Sequence, residues 1–239
     1  MIPEKFTPSG AGKTTLVEIL AKKCKSAVVT GTVEVSSSDQ SASLRIGFVP
    51  QQDILPPTLT VYEALLFAAR LRLPEGITDA NKRERVDEIL EKLGISHLRN
   101  VRIGYAGHTG GSRSRGISGG EMRRVSIGLE LIADPDILIL DEPTSGKSAQ
   151  IAPCTFSYPI DIGLDSVSAS RVASVLHSIA HDPLNPIPVI TSIHQPRYVK
   201  VSYPRCIVLI CCQARNCTRS STQSYFYHTD VFFTLDGDP

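Results

Sequence analysis

The sequence predicts an α/β fold with a mostly parallel sheet, and three observations point to it. Short apolar segments alternate with amphipathic segments along the 239 residues, as strands alternate with helices in such folds. The glycine-rich turn "SGAGKTT" runs directly into a helical pattern near the start. Asp141 and Glu142 follow the apolar run "DILIL", which puts two carboxylates at a strand's carboxyl end, where open α/β sheets bind ligands.

The composition is that of an ordinary globular chain without a global charge bias. Hydrophobic residues make up 41% and charged residues 21%, with 25 Lys and Arg against 24 Asp and Glu. We therefore predict no nucleic-acid partner; the local basic cluster consists of Arg113, Arg115, Arg123 and Arg124. No run approaches the roughly 20 apolar residues of a membrane span, and the start lacks the apolar region of a signal peptide. The six cysteines do not have the spacing of a zinc site.

The sequence of the first half of the chain predicts one strand and several helices. After the glycine-rich turn, "TTLVEILAKK" has helical spacing. "RIGFVP" at 45–50 is a short apolar strand that is followed by Gln51. In "LTVYEALLFAARLRLP", Thr60 is a predicted helix N-cap with Glu63 three residues later, the pair that forms a capping box.

Residues 54–100 are predicted to form a helical block. "DANKRERVDEILEKLG" has apolar residues at i, i+3, i+4 and i+7 from Val86 to Leu93, a helical pattern, and Gly94 fits the position after a helix C-terminus. A loop rich in Gly, Ser and Arg leads to the helix "GEMRRVSIGLELIA" and the strand "DILIL". The helix "VSASRVASVLHSIA" and the strand "IPVITSIH" follow.

The first chemical motif is a phosphate-binding loop. Its usual pattern, G-x-x-x-x-G-K-[ST], surrounds phosphates with backbone N–H groups at a helix N-terminus. Thr7 replaces the first glycine here, but the end of the pattern is in register. Lys13 would reach the β- and γ-phosphates, and the Thr14 hydroxyl would ligate Mg²⁺. The predicted nucleotide-binding residues are Ser9, Gly10, Ala11, Gly12, Lys13, Thr14 and Thr15.

Two carboxylates at the end of a buried strand form the second motif. Four apolar residues, 137–140, precede Asp141 and Glu142. Asp141 suits a position beside Mg²⁺, and Glu142 suits polarising an attacking water. The alternative is a strand that ends in solvated acids, which the upstream phosphate loop makes the weaker interpretation.

A second glycine turn opens the helix of "ISGGEMRR". Ser118, Gly119 and Gly120 would leave backbone N–H groups exposed there, which gives a second anion site. One ATP does not need two such sites, so we predict a head-to-tail pair of domains, each presenting this turn to its partner's nucleotide. Two strand-end residues complete the set: Gln51 would contact Mg²⁺ or its water, and His194 would hydrogen-bond a γ-phosphate.

The ordered set "PSGAGKTT", Gln51, "ISGGE", "LILDEPTS", "GLDS" and "SIHQP" resembles the nucleotide-binding domain of an ATP-binding-cassette (ABC) protein. "GFVPQQDILPPTLTVYEALLFAARLRLP", "RRVSIGLELIADP" and "SIHQPR" further resemble the G subfamily, the White and pleiotropic-drug-resistance type of eukaryotic exporters. The resemblance covers 8–145 and 163–197. It implies Mg²⁺-dependent ATP hydrolysis in a domain dimer, on the cytoplasmic face of a membrane, that powers export.

The resemblance also implies an architecture and residue roles. A P-loop NTPase core of the RecA-like kind would occupy 1–53 and 135–197, with a helical subdomain at 54–134. The implied roles are Walker A for Lys13 and Thr14, Q-loop for Gln51, signature for Ser118, Gly119, Gly120 and Glu121, Walker B for Asp141, catalytic base for Glu142, D-loop for Asp165 and switch for His194. The implied partners are a second nucleotide-binding domain and a transmembrane domain missing from this chain, so we do not expect transport by this chain alone.

The sequence departs from the family pattern in three places. The family joins the Walker B carboxylates to the D-loop as DEPTSGLDS, whereas an aberrant insert at 146–162 separates them here. We predict a retained intron, because the ends of the insert can be encoded with splice-donor and splice-acceptor sequences; an evolved regulatory segment is the alternative. After residue 197 the pattern is lost, which predicts an irregular tail at 198–239. We expect the strands that the family places before Walker A to be lacking here, since seven residues precede the motif.

Two rival functions stay open. One is a soluble ABC ATPase that acts on DNA or ribosomes, which the near-zero net charge and the exporter-like segment after Gln51 disfavour. The other is a non-catalytic fragment that at most binds nucleotide, because the insert begins four residues after Glu142 and moves the D-loop.

Overall fold

A four-stranded parallel sheet lies at the centre of the fold. The computed structural model describes residues 13–23, 32–36, 44–104, 116–144, 164, 166–192, 207–210 and 232–236. The strands in chain order are β1 Thr32–Ser36, β2 Ile46–Val49, β3 Ile137–Leu140, β4 Val189–Ser192, β5 Ile207–Ile210 and β6 Phe232–Asp236. The central sheet has the order β2-β3-β4-β5 with every pair parallel, and β1 pairs with β6 antiparallel.

Five α-helices lie within the described part of the chain. They are α1 Lys13–Leu20, α2 Val61–Arg72, α3 Asp79–Lys92, α4 Gly119–Leu131 and α5 Ser166–Ala180, with a short 3-10 helix at Ser96–Leu98. Each α-helix coincides with a helix predicted from hydrophobic spacing. The predicted α/β fold with a parallel sheet is therefore confirmed.

Helices cover both faces of the sheet. Side chains alternate along a strand, so each strand contributes apolar residues to both faces. Ile137 and Ile139 of β3 pack with Val17 and Leu20 of α1 in one apolar cluster. The intervening residues of β3 belong to a second, larger cluster that contains the helices of 54–134 and the buried side of α5. The sheet therefore separates α1 from the helical block.

The predicted local features of the helical block have the expected geometry. The Thr60 hydroxyl accepts from the backbone N–H of Glu63, and the Glu63 carboxylate accepts from the backbone N–H of Thr60, so the capping box is confirmed. Gly94, just past α3, has a φ of +62°, a left-handed conformation that glycine adopts without steric cost. These two features fix the ends of α2 and α3.

The prediction of an irregular tail at 198–239 is wrong for the two strands that the structure describes there. β5 pairs with β4 in the central sheet, and β6 pairs with β1. Both sequences, "IVLI" and "FFTLD", are rich in the β-branched and aromatic residues that favour strands. The edge of β4 would otherwise present unpaired backbone groups, and β5 pairs with them. The domain boundaries, including the insert at 146–162, stay predictions.

No helix within the described ranges combines the length and the apolar character that a membrane span requires.

An ion pair joins the helical block to the sheet core. Lys92 at the end of α3 donates to the Asp182 carboxylate at 2.5 Å. The hydrogen bond from Lys92 is the largest cause of a lowered pKa of Asp182, which falls to about 2, and a hydrogen bond from the backbone N–H of Leu184 is the second. A carboxyl whose pKa falls on folding stabilises the folded state above its unfolded pKa, near 3.9 for Asp, and this stabilisation is lost as pH falls.

We expect Asp182→Asn to lower the melting temperature at pH 7, and the difference from the unmodified chain to shrink between pH about 4 and about 2. Thermal unfolding across this pH range measures the effect. The matched control is Lys92→Met, alone and with Asp182→Asn. If the double variant loses as much as the two single losses added together, the two side chains do not stabilise each other.

Candidate active site

The amino terminus of α1 supplies one side of the site. The helix begins at Lys13, and the side chains of Thr14 and Thr15 in its first turn are exposed. The first N–H groups of a helix have no partner within it and carry a partial positive charge, which suits a phosphate. Four of the predicted nucleotide-binding residues, Ser9, Gly10, Ala11 and Gly12, lie outside the described residues, as do Asp165, His194 and the Lys13 side chain.

The carboxyl end of β3 supplies the acidic side. Asp141 and Glu142 are both buried, and the exposed fraction of Asp141 is 1%. The backbone N–H of Asp141 donates to the carbonyl oxygen of Val49 at 3.0 Å, so the ladder between β2 and β3 continues to the first carboxylate. The carboxyl ends of β2 and β3 are therefore held side by side. Gln51 lies two residues after the end of β2, within reach of the carboxylates that follow β3.

Gln51 and Glu142 are in direct contact. Gln51 Nε2 donates to Glu142 Oε2 at 2.7 Å, across 91 positions of sequence. Glu142 has a φ of +41°, a left-handed conformation that costs a non-glycine residue roughly 1–3 kcal/mol. The sequence predicts that Gln51 and Glu142 belong to one site, but it gives no indication that the backbone of Glu142 is strained.

Ser192, the last residue of β4, bridges both acidic residues. Its hydroxyl donates to Asp141 Oδ1 at 2.6 Å and accepts from the backbone N–H of Glu142 at 2.9 Å. The Ser192 side chain is fully buried. Sequence reasoning missed this residue because "VITSIH" reads as a buried strand, in which a single serine has no distinguishing pattern.

The described residues fit a bound Mg²⁺. Asp141 Oδ2 is buried and has no hydrogen-bond partner among the described residues. An unpaired buried carboxylate oxygen is costly, and a cation would satisfy it. The Thr14 hydroxyl and the Gln51 amide are the other predicted ligands, and Mg²⁺ prefers oxygen donors of this kind. Because the Gln51 amide nitrogen is engaged by Glu142, its amide oxygen is the atom that remains for a cation.

The second glycine turn forms the capped start of α4. Ser118 and Glu121 make a reciprocal capping box. Burial opposes ionisation of Glu121, but the hydrogen bonds from Ser118 and the charges of Arg124 and His97 outweigh it, and the pKa of Glu121 falls below its ordinary value. The side chains of Ser118 and Glu121 thus hold the turn in a fixed shape.

The two glycines of this turn have different environments. Gly119 is exposed, whereas Gly120 is buried against α5, where a Cβ at position 120 would lie 2.7 Å from the Cβ of Ser168. Close packing between α4 and α5 therefore requires glycine at position 120, independently of any anion. At position 119 the exposed backbone agrees with the predicted anion site.

The predicted basic cluster is not a surface patch within the described residues. Arg123 and Arg124 are both buried, and their guanidinium groups donate to backbone carbonyl oxygens. Arg113 and Arg115 lie outside the described residues. Arg123 and Arg124 of this local cluster therefore do not contribute positive charge to an exposed patch.

A helix N-terminus and a pair of buried carboxylates at a parallel sheet, together with the "GKTT" motif, define a P-loop NTPase. A family model described as "ABC transporter" matches residues 7–145. This match spans more than half of the chain, so the chain belongs to the ABC transporter family, and by family it is an ABC-type ATPase domain.

Curated relatives point to the G family. The chain is 41% identical over 194 residues to "ABC transporter G family member 22" of Dictyostelium discoideum, a match that covers 80% of this chain and 28% of the relative. It is 44% identical over 191 residues to "ABC transporter G family member 17" of Arabidopsis thaliana, with 79% and 25% covered. The predicted similarity to an ABC nucleotide-binding domain of the G subfamily is confirmed. The chain spans about a quarter of the length of these relatives.

Solved structures agree on the fold. An inward-facing putative metal-chelate type ABC transporter aligns with a TM-score of 0.57 at 22% identity, covering 86% of this chain and 67% of that chain. The ATP-binding cassette MJ0796, solved as a dimer in a post-hydrolysis state with ADP and Pi, aligns with a TM-score of 0.52 at 20% identity, covering 86% and 80%. The predicted P-loop NTPase fold is thereby confirmed.

Proposed function

We propose that this chain binds MgATP and hydrolyses it, and that it serves as the nucleotide-binding domain of a G-family exporter. The observation that carries the proposal is the meeting of Gln51, Asp141, Glu142 and Ser192 at one end of the sheet. The ADP and Pi bound to MJ0796 support nucleotide binding by a chain of this fold. Mg²⁺ bound with ATP would neutralise phosphate charge.

The residues of this chain divide the work between binding and hydrolysis. Lys13 and Thr14 would hold the β- and γ-phosphates at the start of α1, with Asp141 on the opposite side. Glu142 Oε2 accepts from Gln51, which leaves Oε1 to accept a proton from an attacking water. Ser192 fixes the backbone of Glu142. We further propose that His194 contacts the γ-phosphate and that Asp165 lies in the D-loop.

The proposed partners are a second nucleotide-binding domain and a transmembrane domain. A capped glycine turn at the start of α4 and the dimeric state of MJ0796 support a head-to-tail dimer, in which Ser118 to Glu121 would face the partner's nucleotide. Similarity to G-family members over a quarter of their length supports export across a membrane with this domain on the cytoplasmic face. The retained-intron origin of 146–162 stays a prediction.

One observation favours a second candidate, a domain that binds nucleotide without turnover. The insert at 146–162 begins four residues after Glu142 and separates it from Asp165. A displaced D-loop would impair the dimer interface, while Lys13, Thr14 and Asp141 would still hold MgATP.

The test uses the full purified chain. We expect equilibrium dialysis with radiolabelled ATP to detect binding in MgCl₂ that weakens in EDTA, and phosphate release to follow the same dependence. Binding without phosphate release would favour the second candidate. Absence of both would contradict the proposed function, provided circular dichroism shows that the chain is folded.

A further inference from the structure

Arg123, in the second turn of α4, lies between the ends of β2 and β3. Its Nη1 donates to the carbonyl oxygen of Pro50 at 2.5 Å and to Asp53 Oδ1 at 3.0 Å, and its Nη2 donates to the carbonyl oxygen of Asp141 at 2.7 Å. The exposed fraction of the Arg123 side chain is 3%. One buried guanidinium on α4 therefore joins the segment after β2 to the end of β3.

The two carbonyl groups that Arg123 holds belong to the peptide bonds just before two site residues. The carbonyl of Pro50 is joined to the nitrogen of Gln51, and the carbonyl of Asp141 to the nitrogen of Glu142. These residues are the partners in the hydrogen bond between Gln51 and Glu142. The planar fork of an arginine fixes the distance between the acceptors that it binds, so Arg123 sets the spacing of the two backbones from which this pair projects.

The cost of burying Arg123 argues that it does more than fill space. Its Nε is buried without a hydrogen-bond partner among the described residues, and an unsatisfied buried donor lowers stability. Arg124, the next residue, is also buried, but among the described residues it donates to the backbone carbonyl oxygens of Gly120, Leu93 and Gly94, away from the carboxyl ends of β2 and β3. The chain thus has two adjacent buried arginines, of which one contacts the site backbone.

We propose that Arg123 is a positioning residue for hydrolysis, which holds the backbones of Gln51 and Asp141 so that the Gln51 amide and the Asp141 carboxylate converge on one Mg²⁺. The proposal rests on the proposed function. It predicts that Arg123 controls how well the site uses Mg²⁺, beyond any effect on folding.

The experiment compares Arg123→Lys and Arg123→Gln with Arg124→Lys in the full chain. The first readout is the melting temperature at fixed ATP as Mg²⁺ is titrated, which reports binding through ligand linkage and does not require turnover. We expect both Arg123 variants to raise the half-maximal Mg²⁺ concentration about 10- to 100-fold, the range seen when groups behind a metal ligand are removed. The second readout is phosphate release, which we expect to fall by a similar factor.

Arg124→Lys is the matched control, because it makes the same substitution at a buried arginine of the same helix. We expect it to lower the melting temperature without nucleotide and to leave the half-maximal Mg²⁺ concentration unchanged. If Arg123→Gln does not fold, Asp53→Asn loosens Arg123 from its carboxylate partner and should shift the Mg²⁺ dependence in the same direction, by less.

Arg123 variants with the unmodified chain's Mg²⁺ dependence would overturn the positioning role and leave the proposed function intact. So would an equal shift in Arg124→Lys, or an unchanged Mg²⁺ dependence in Asp53→Asn. An unmodified chain whose melting temperature does not respond to ATP and Mg²⁺ would overturn the proposed function, and this inference with it.

Discussion

Glu142→Gln is expected to lower phosphate release about 10²- to 10⁴-fold, the contribution typical of a general base, while MgATP still binds. The amide cannot accept a proton from water as a carboxylate does. Its oxygen can still accept from Gln51, and the backbone N–H of residue 142 can still donate to Ser192. The substitution therefore removes the charge at the reacting position and leaves the surrounding hydrogen bonds in place.

Steady-state phosphate release and dialysis with radiolabelled ATP separate the two effects. The control is Glu75→Gln, at an exposed position in the turn between α2 and α3, which should match the unmodified chain in both assays. Unchanged phosphate release by Glu142→Gln would mean that the activity does not come from this carboxylate.

Ser192→Ala is expected to lower the free energy of unfolding by about 2–6 kcal/mol, because it leaves two buried groups without a partner, each costing roughly 1–3 kcal/mol. One is the backbone N–H of Glu142 and the other is Asp141 Oδ1. Phosphate release should fall as well, because the hydroxyl fixes the left-handed backbone of Glu142. Urea unfolding at neutral pH measures the first effect.

Ser174→Ala provides the matched control for this prediction. Ser174 lies on the exposed side of α5, and its hydroxyl donates to the carbonyl oxygen of Ser170, so we expect a change within about 0.5 kcal/mol. A Ser192→Ala chain as stable as the Ser174→Ala chain would show that the bridge between Asp141 and Glu142 does not stabilise the fold.

The part of the fold that local patterns specify was predictable from the sequence. The capping box of Thr60 and Glu63 involves residues three positions apart, and Gly94 adopts the left-handed conformation expected after α3. The apolar run of β3 predicted a buried strand, and Asp141 and Glu142, which follow it in the sequence, were therefore placed at the carboxyl end of that strand. The tail was predicted to be irregular because "IVLI" and "FFTLD" are short. Their composition favours strands, but only the tertiary structure shows that they pair with β4 and β1.

The sequence by itself determined the family resemblance and predicted the five α-helices and the strands β2, β3 and β4. It also singled out Gln51, Asp141 and Glu142 as predicted site residues. Tertiary structure alone decided which groups hold them. The bond between Ser192 and Asp141 spans 51 positions, and that between Arg123 and Pro50 spans 73. A buried serine or arginine carries no local pattern that names a partner so far away, because its hydrogen bonds depend on how strands and helices pack.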